Sequence, residues 1–186
     1  MKRKINTLLL ALGVFLVSSC KLDYLENPNL VTENSTDADY LLNNIQISFR
    51  NVYNGVSDSG QRLTRMLNQG GNTYETAYNP NDFNDNWKTG YNMLAAIKKM
   101  EPKAIEKEYY YIIGASKVIR CYVLLTMTDM YGDIPVKEAL MGNANLYPKF
   151  DKDSEVYKQI LLELDEAIAT LSKSGGSIDS QFNDLY

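Results

Sequence analysis

The sequence predicts an all-α protein, and three observations carry that prediction. Apolar residues recur at intervals of three and four through several long segments, the spacing of a buried helical stripe. No stretch shows sustained alternation of apolar and polar residues, so strands are not expected. The segment from Glu106 to Tyr131 is apolar nearly all round, which marks a helix packed on several sides.

The chain begins with Lys2, Arg3 and Lys4 ahead of an apolar run from Leu8 to Val17. That run is well short of the roughly 20 residues that span a bilayer as a helix, and small residues follow it at once. Residues 1–19 therefore read as a secretory signal. Val17-Ser18-Ser19-Cys20 resembles the lipobox of bacterial lipoproteins, with Val17 in place of the usual leucine. The alternative is an ordinary signal in which Cys20 is incidental. Lipidation at Cys20 would tether the protein, since two or more acyl chains anchor stably where one does not.

Residues 20–35 carry Pro28 and several asparagines without helical period, and read as an extended tether. Residues 36–186 form the helical region. Its first helix starts near Thr36, where Thr36-x-x-Asp39 resembles a capping box. Leu41, Leu42, Ile45, Phe49 and Val52 mark its inner face, and Gly55 is expected to stop it. A short second helix is expected over Gln61–Gln69, ended by Gly70-Gly71. The polar stretch from Gly70 to Asp85 follows as a loop. A third helix carries Phe83, Trp87, Tyr91, Leu94 and Ile97, with Pro102 closing it. The apolar helix Glu106–Tyr131 comes next, its Gly114, Ala115 and Ser116 small enough for a neighbour to approach closely. Tyr131-Gly132-Asp133-Ile134-Pro135 then breaks the chain sharply. The last helix carries Val156, Ile160, Leu164, Ala167 and Leu171, with Asp153 or Ser154 as its cap.

Composition removes several function classes. The formal charge is −4, and −7 once Lys2, Arg3 and Lys4 are lost with the signal, so a nucleic-acid partner is not expected. The chain has no histidine, which excludes Ser-His-Asp and Cys-His nucleophile systems and His-ligated zinc. No Gly-rich phosphate loop is present, and neither a metal nor a cofactor is expected. Carboxylate-pair hydrolases stay formally open, with no pair nominated above the rest. Besides Cys20 the only cysteine is Cys121, set among apolar residues as a small buried hydrophobe.

Binding chemistry concentrates in the loop before the third helix. Tyrosine offers broad contact area with a hydroxyl, and asparagine both donates and accepts. Asn72, Tyr74, Tyr78 and Asn81 are the candidate ligand contacts there, together with Trp87, the single tryptophan. The alternatives are a solvated connection for the loop and plain core packing for Trp87.

The run Gly114-Ala115-Ser116-Lys117-Val118-Ile119-Arg120-Cys121-Tyr122-Val123-Leu124-Leu125 leads into Tyr131-Gly132-Asp133-Ile134-Pro135-Val136-Lys137-Glu138-Ala139. Together with Trp87-x-x-x-Tyr91 upstream and Pro148-x-Phe150-Asp151 leading to Tyr157-x-x-Ile160-x-x-x-Leu164-Asp165-x-Ala167-Ile168 downstream, it resembles the SusD/RagB family of outer-membrane lipoproteins. The order and spacing of these motifs carry the resemblance, and Tyr-Gly-Asp-Ile-Pro is its most specific element. It implies a tetratricopeptide-like helical-repeat scaffold that binds oligosaccharide or another nutrient without performing chemistry. It further implies a SusC-like TonB-dependent transporter as partner. Members of the family run to several hundred residues, so the resemblance implies an amino-terminal, incomplete portion of such a protein. The other reading is a lipid-tethered helical scaffold that binds a protein partner and has no small-molecule site.

Overall fold

The computed structural model describes residues 38–67 and 83–173. Among them lie four α-helices: α1 (Ala38–Leu63), α2 (Asn84–Glu106), α3 (Tyr110–Tyr131) and α4 (Asp153–Leu171). A single 3-10 turn spans Gly142–Ala144, and one isolated antiparallel bridge joins Ile134 to Asp151. The all-α class expected from the sequence is the class observed.

Helix α3 packs against all three other helices. By length and composition α3 could cross a membrane, yet half of its apolar window is buried inside the bundle. Ile112, Val123 and Leu124 of α3 meet Leu42 and Ile45 of α1, Met93 and Met100 of α2, and Val156 and Ile160 of α4 in one hydrophobic core. Each large apolar side chain so buried contributes about 1.5–3 kcal/mol. Helix α4 runs antiparallel to α3, because Lys117 pairs with Glu166, Arg120 with Glu163, and Asp129 with Tyr157. Gly114 sets the closeness of that pair: a Cβ there would lie 2.4 Å from Leu171 Cγ.

Four boundaries depart from the sequence expectation. Helix α1 does not stop at Gly55 but continues to Leu63, absorbing the start of the expected second helix, whose residues 64–67 form a turn. Glycine inside a helix costs only about 1 kcal/mol against alanine. At residue 55 it also clears room for α2, since a Cβ would sit 2.7 Å from Asn86 Oδ1. The true stop is Arg65, in the left-handed region at φ 57°, with Met66 N–H donating back to Gln61 O at 3.0 Å. Pro102 does not close α2 either, and the helix runs on to Glu106. Proline in the last turns removes a single ladder bond, and Pro102 is exposed, so its ring meets solvent. The apolar helix begins at Tyr110 instead of Glu106, because Glu108 takes φ 55° and breaks the chain between α2 and α3.

The fourth departure is the start of α4. Lys152 occupies the cap position, and no side chain of that residue caps the helix. The first amide, Asp153 N–H, instead donates to Asp133 Oδ1 at 3.0 Å, twenty residues upstream. The break after α3 is where it was expected: Gly132 adopts φ 74°, a conformation that L side chains rarely take.

Candidate functional site

Three chain segments converge at one end of the bundle: the start of α2, the end of α3, and the stretch that enters α4. The convergence is enforced by two reciprocal carboxylates. Asp133, in the turn after α3, accepts from Asp153 N–H and pairs with Lys152 Nζ at 2.6 Å. Asp151, just before α4, accepts from the amides of Val136 and Lys137 through one oxygen, each at 2.9 Å. Between them the Ile134–Asp151 bridge closes two backbone bonds, 3.2 and 3.0 Å long. Each segment thus supplies the acceptor that the other segment's amides need.

These bonds also shift the two acids. The Lys152 ammonium and the Asp153 amide hold Asp133 below the usual carboxylate range. For Asp151 burial opposes ionisation, but the Lys137 and Val136 amides and the Lys137 charge outweigh it and its pKa is lowered too.

An aromatic cluster sits on this clamp. Trp87 is half-buried at its centre, with Tyr91 and Tyr131 rings each 4.9 Å away and Phe150 near-parallel to it at 6.4 Å and 29°. The two tyrosines are anchored through their hydroxyls, Tyr91 donating to Pro135 O at 2.8 Å and Tyr131 to Phe83 O at 2.6 Å. Burial raises the pKa of both, and for Tyr91 the nearby Asp151 charge adds to it, so both stay protonated donors. Phe150 is the open member of the group, 62% exposed.

A groove of about 530 Å³ lies between α2, α3, α4 and the 136–140 segment, sharing Val136 and Lys137 with the clamp. Leu94 and Ile97 line it from α2, Gln159, Leu162, Glu163 and Glu166 from α4, and buried Ser116 from α3. Two ion pairs lie inside it, Arg120 with Glu163, which also accepts from Gln159 Nε2 at 2.8 Å, and Lys117 with Glu166, while Lys98, also in the lining, donates to Leu140 O at 2.8 Å. No aromatic side chain lines this groove.

Of the sequence-derived site residues, Trp87 is the one the structure places, and it belongs to the aromatic cluster. Asn72, Tyr74, Tyr78 and Asn81 lie outside the described residues, as do Cys20 and the segments 1–19 and 20–35. Phe150, Asp133 and Asp151 lie in motifs visible in the sequence, which does not mark them as site residues. A signal for the aspartates existed in the spacing of the two motifs, but nothing local shows that each caps the other. Cys121 is buried at 2% exposure, with its thiol pushed up to about 11, chiefly by burial and then by the Glu163 charge. Among the described residues no group of three metal-binding side chains is assembled.

Four α-helices, one of them packed against the other three, define an all-α helical scaffold among the described residues. The chain belongs to the SusD-like family, described as "Starch-binding associating with outer membrane", whose sequence profile matches residues 28–185. The fold is also similar to the crystal structure of a SusD/RagB family protein from Bacteroides thetaiotaomicron VPI-5482, with a TM-score of 0.60 and 23% identity. That similarity covers 75% of this chain and 31% of the other, so the chain spans under a third of that relative's length. No curated protein matches the chain.

Proposed function

We propose that this protein is a surface-exposed outer-membrane lipoprotein that binds oligosaccharide or another nutrient and delivers it to a SusC-like TonB-dependent transporter. Cys20 carries the lipid, and residues 20–35 form the tether. The protein binds and hands over; it performs no chemistry. Membership of a family described as starch-binding and associated with the outer membrane is the observation that carries this reading. The aromatic cluster at the clamped end supports it, because flat apolar rings with polar neighbours suit the faces of sugar rings. Asn72, Tyr74, Tyr78, Asn81 and Trp87 are the proposed contacts, the loop leading directly into Phe83 and α2.

Calorimetry of the full chain against starch-derived and other neutral oligosaccharides tests the binding step. Saturable heats that weaken in a Tyr74→Ala, Tyr78→Ala variant are expected, whereas equal binding by the variant removes those two contacts from the proposal. Lipidation is tested by metabolic fatty-acid labelling, expected to be lost in Cys20→Ala and refuted by undiminished labelling.

A second reading, a scaffold for a protein partner, draws on one specific observation. Leu161, Leu162 and Ile168 of α4 are each close to two-thirds exposed, and apolar patches of that kind mark interaction surfaces. Specific pull-down of a membrane protein by a chain that binds no glycan would favour it.

A further inference from the structure

Among the four rings of the aromatic cluster the most exposed is Phe150, not the tryptophan. Trp87 has a ring neighbour on three sides, whereas Phe150 lies against it with its own outer surface in solvent. An exposed phenylalanine is ordinarily unremarkable, but this one is held in place. Asp151, the next residue, is fixed by the Val136 and Lys137 amides and by the bridge to Ile134. On the other side Lys149 N–H donates to Glu138 Oε2 at 3.3 Å. The backbone on both sides of Phe150 is therefore tied to the 134–138 segment, and the ring stacks on a tryptophan that is itself wedged by two anchored tyrosines. Such a ring can be covered by a ligand with little ordering cost, which is the property that separates a binding anchor from a loose surface side chain.

Charge around the ring selects among ligands. The lysines on either side of Phe150 are both matched to carboxylates, Lys149 with Glu138 at 3.6 Å and Lys152 with Asp133 at 2.6 Å. Lys137, nearby through Asp151, is matched to that acid at 3.7 Å. No unmatched cation of this set is left to recruit a carboxylate or sulfate, and the chain as a whole is acidic. A flat apolar ring among paired charges suits a neutral sugar, whose C–H face can lie on the ring while its hydroxyls meet the ion pairs. The groove along α2, α3 and α4 has no ring, and so lacks the stacking half of this chemistry.

We infer that Phe150 is the stacking platform for a pyranose ring of a neutral oligosaccharide, with Trp87 as the wall behind it. This rests on the oligosaccharide-binding reading above and assigns it a residue and a charge class. The chain's single tryptophan lies directly behind the platform, so it serves as a built-in reporter.

The full chain is titrated with neutral starch-, xylan- and mannan-derived oligosaccharides and with an acidic polygalacturonate fragment. Trp87 emission and calorimetric heats are followed together. The expected result is a saturable change in Trp87 emission with a neutral sugar, and a loss of about tenfold or more in affinity for Phe150→Ala. Phe150→Tyr, which keeps the ring, should bind like the parent, and circular dichroism should show all three proteins equally folded. If a neutral sugar binds by calorimetry but Phe150→Ala binds equally well and the emission does not move, the platform is refuted while the binding reading stands. Tighter binding of the acidic fragment overturns the charge class. Absence of heat with every sugar overturns both.

Discussion

Replacing Asp151 separates the clamp from the aromatic cluster it supports. In Asp151→Ala both amides that shared one oxygen lose their acceptor. Hydrogen bonds to a charged group are worth about 1.5–3 kcal/mol each. The Asp151 side chain is 15% exposed, and Val136 is buried, so the Val136 amide has little access to water as a replacement. The Lys137 amide faces solvent and regains most of its bond there, contributing about 0.5 kcal/mol. The ion pair with the exposed Lys137 adds at most about 1 kcal/mol. The expected loss is about 2–4 kcal/mol, or roughly 5–15 °C in Tm for a chain of this size. Asp151→Asn can present its amide oxygen where Oδ2 stood, keeping both acceptor contacts and losing the charge, so it should cost only about 1 kcal/mol. Urea unfolding followed by Trp87 emission and by circular dichroism measures both variants. A loss under about 1 kcal/mol for Asp151→Ala, or equal losses for the two variants, would refute the reciprocal-cap reasoning.

Further expectations follow from the same geometry. Asp133, Glu138 and Asp151 all have lowered pKa values in the fold, through the Lys152 bond, the Lys149 amide and the partly offset Lys137 and Val136 amides respectively. Groups of this kind stabilise the fold above their unfolded pKa, near 3.9–4.3, and that stability is lost as pH falls through the folded values. Melting temperature should therefore hold between about pH 7 and 5 and drop below about pH 4, and a rise on acidification would contradict it. In a Cys20→Ser variant the one remaining thiol, Cys121, should react slowly with a disulfide reagent at mildly alkaline pH and quickly in urea, because burial keeps it protonated and covered; rapid native labelling would contradict this. Leu161→Ser with Leu162→Ser should leave melting temperature within a few degrees, since both side chains are already in solvent, while reducing self-association seen by light scattering. Marked unfolding of that variant would show that those leucines are buried.

The helices were legible where apolar spacing was uninterrupted. Val156, Ile160 and Ala167 on α4 are buried, although Leu171 of the same stripe is exposed, α3 packs against all three other helices as its apolar run predicts, and the Gly132 break stands where glycine and proline marked it. Boundaries failed where a single residue was allowed to overrule tertiary packing. Gly55 and Pro102 both read as stops, yet the α1–α2 contact at Asn86 uses the missing Cβ, and Pro102 falls close enough to the end of α2 to be tolerated. Two non-glycine residues with positive φ, Arg65 and Glu108, end the helices instead, and neither type signals that conformation.

The site was legible only in part. Trp87 and its neighbour Tyr91 could be found four residues apart on one helical stripe, but Tyr131 and Phe150 come from two other segments and so have no local signature. Phe150 lies in a motif that the sequence marks without saying which of its side chains faces solvent. Asp133 and Asp151 act across fourteen to twenty residues of chain, beyond the reach of capping rules that look three or four residues ahead. That separation is why Asp153 and Ser154 looked like the cap while Asp133 supplies the acceptor.

The central claim is that this chain binds neutral glycan. Native electrophoresis of the full chain through gels cast with and without soluble starch measures that most directly, with a non-binding protein as the mobility standard. Retardation that grows with starch concentration is the expected result, and mobility unchanged relative to the standard at every concentration would contradict the claim.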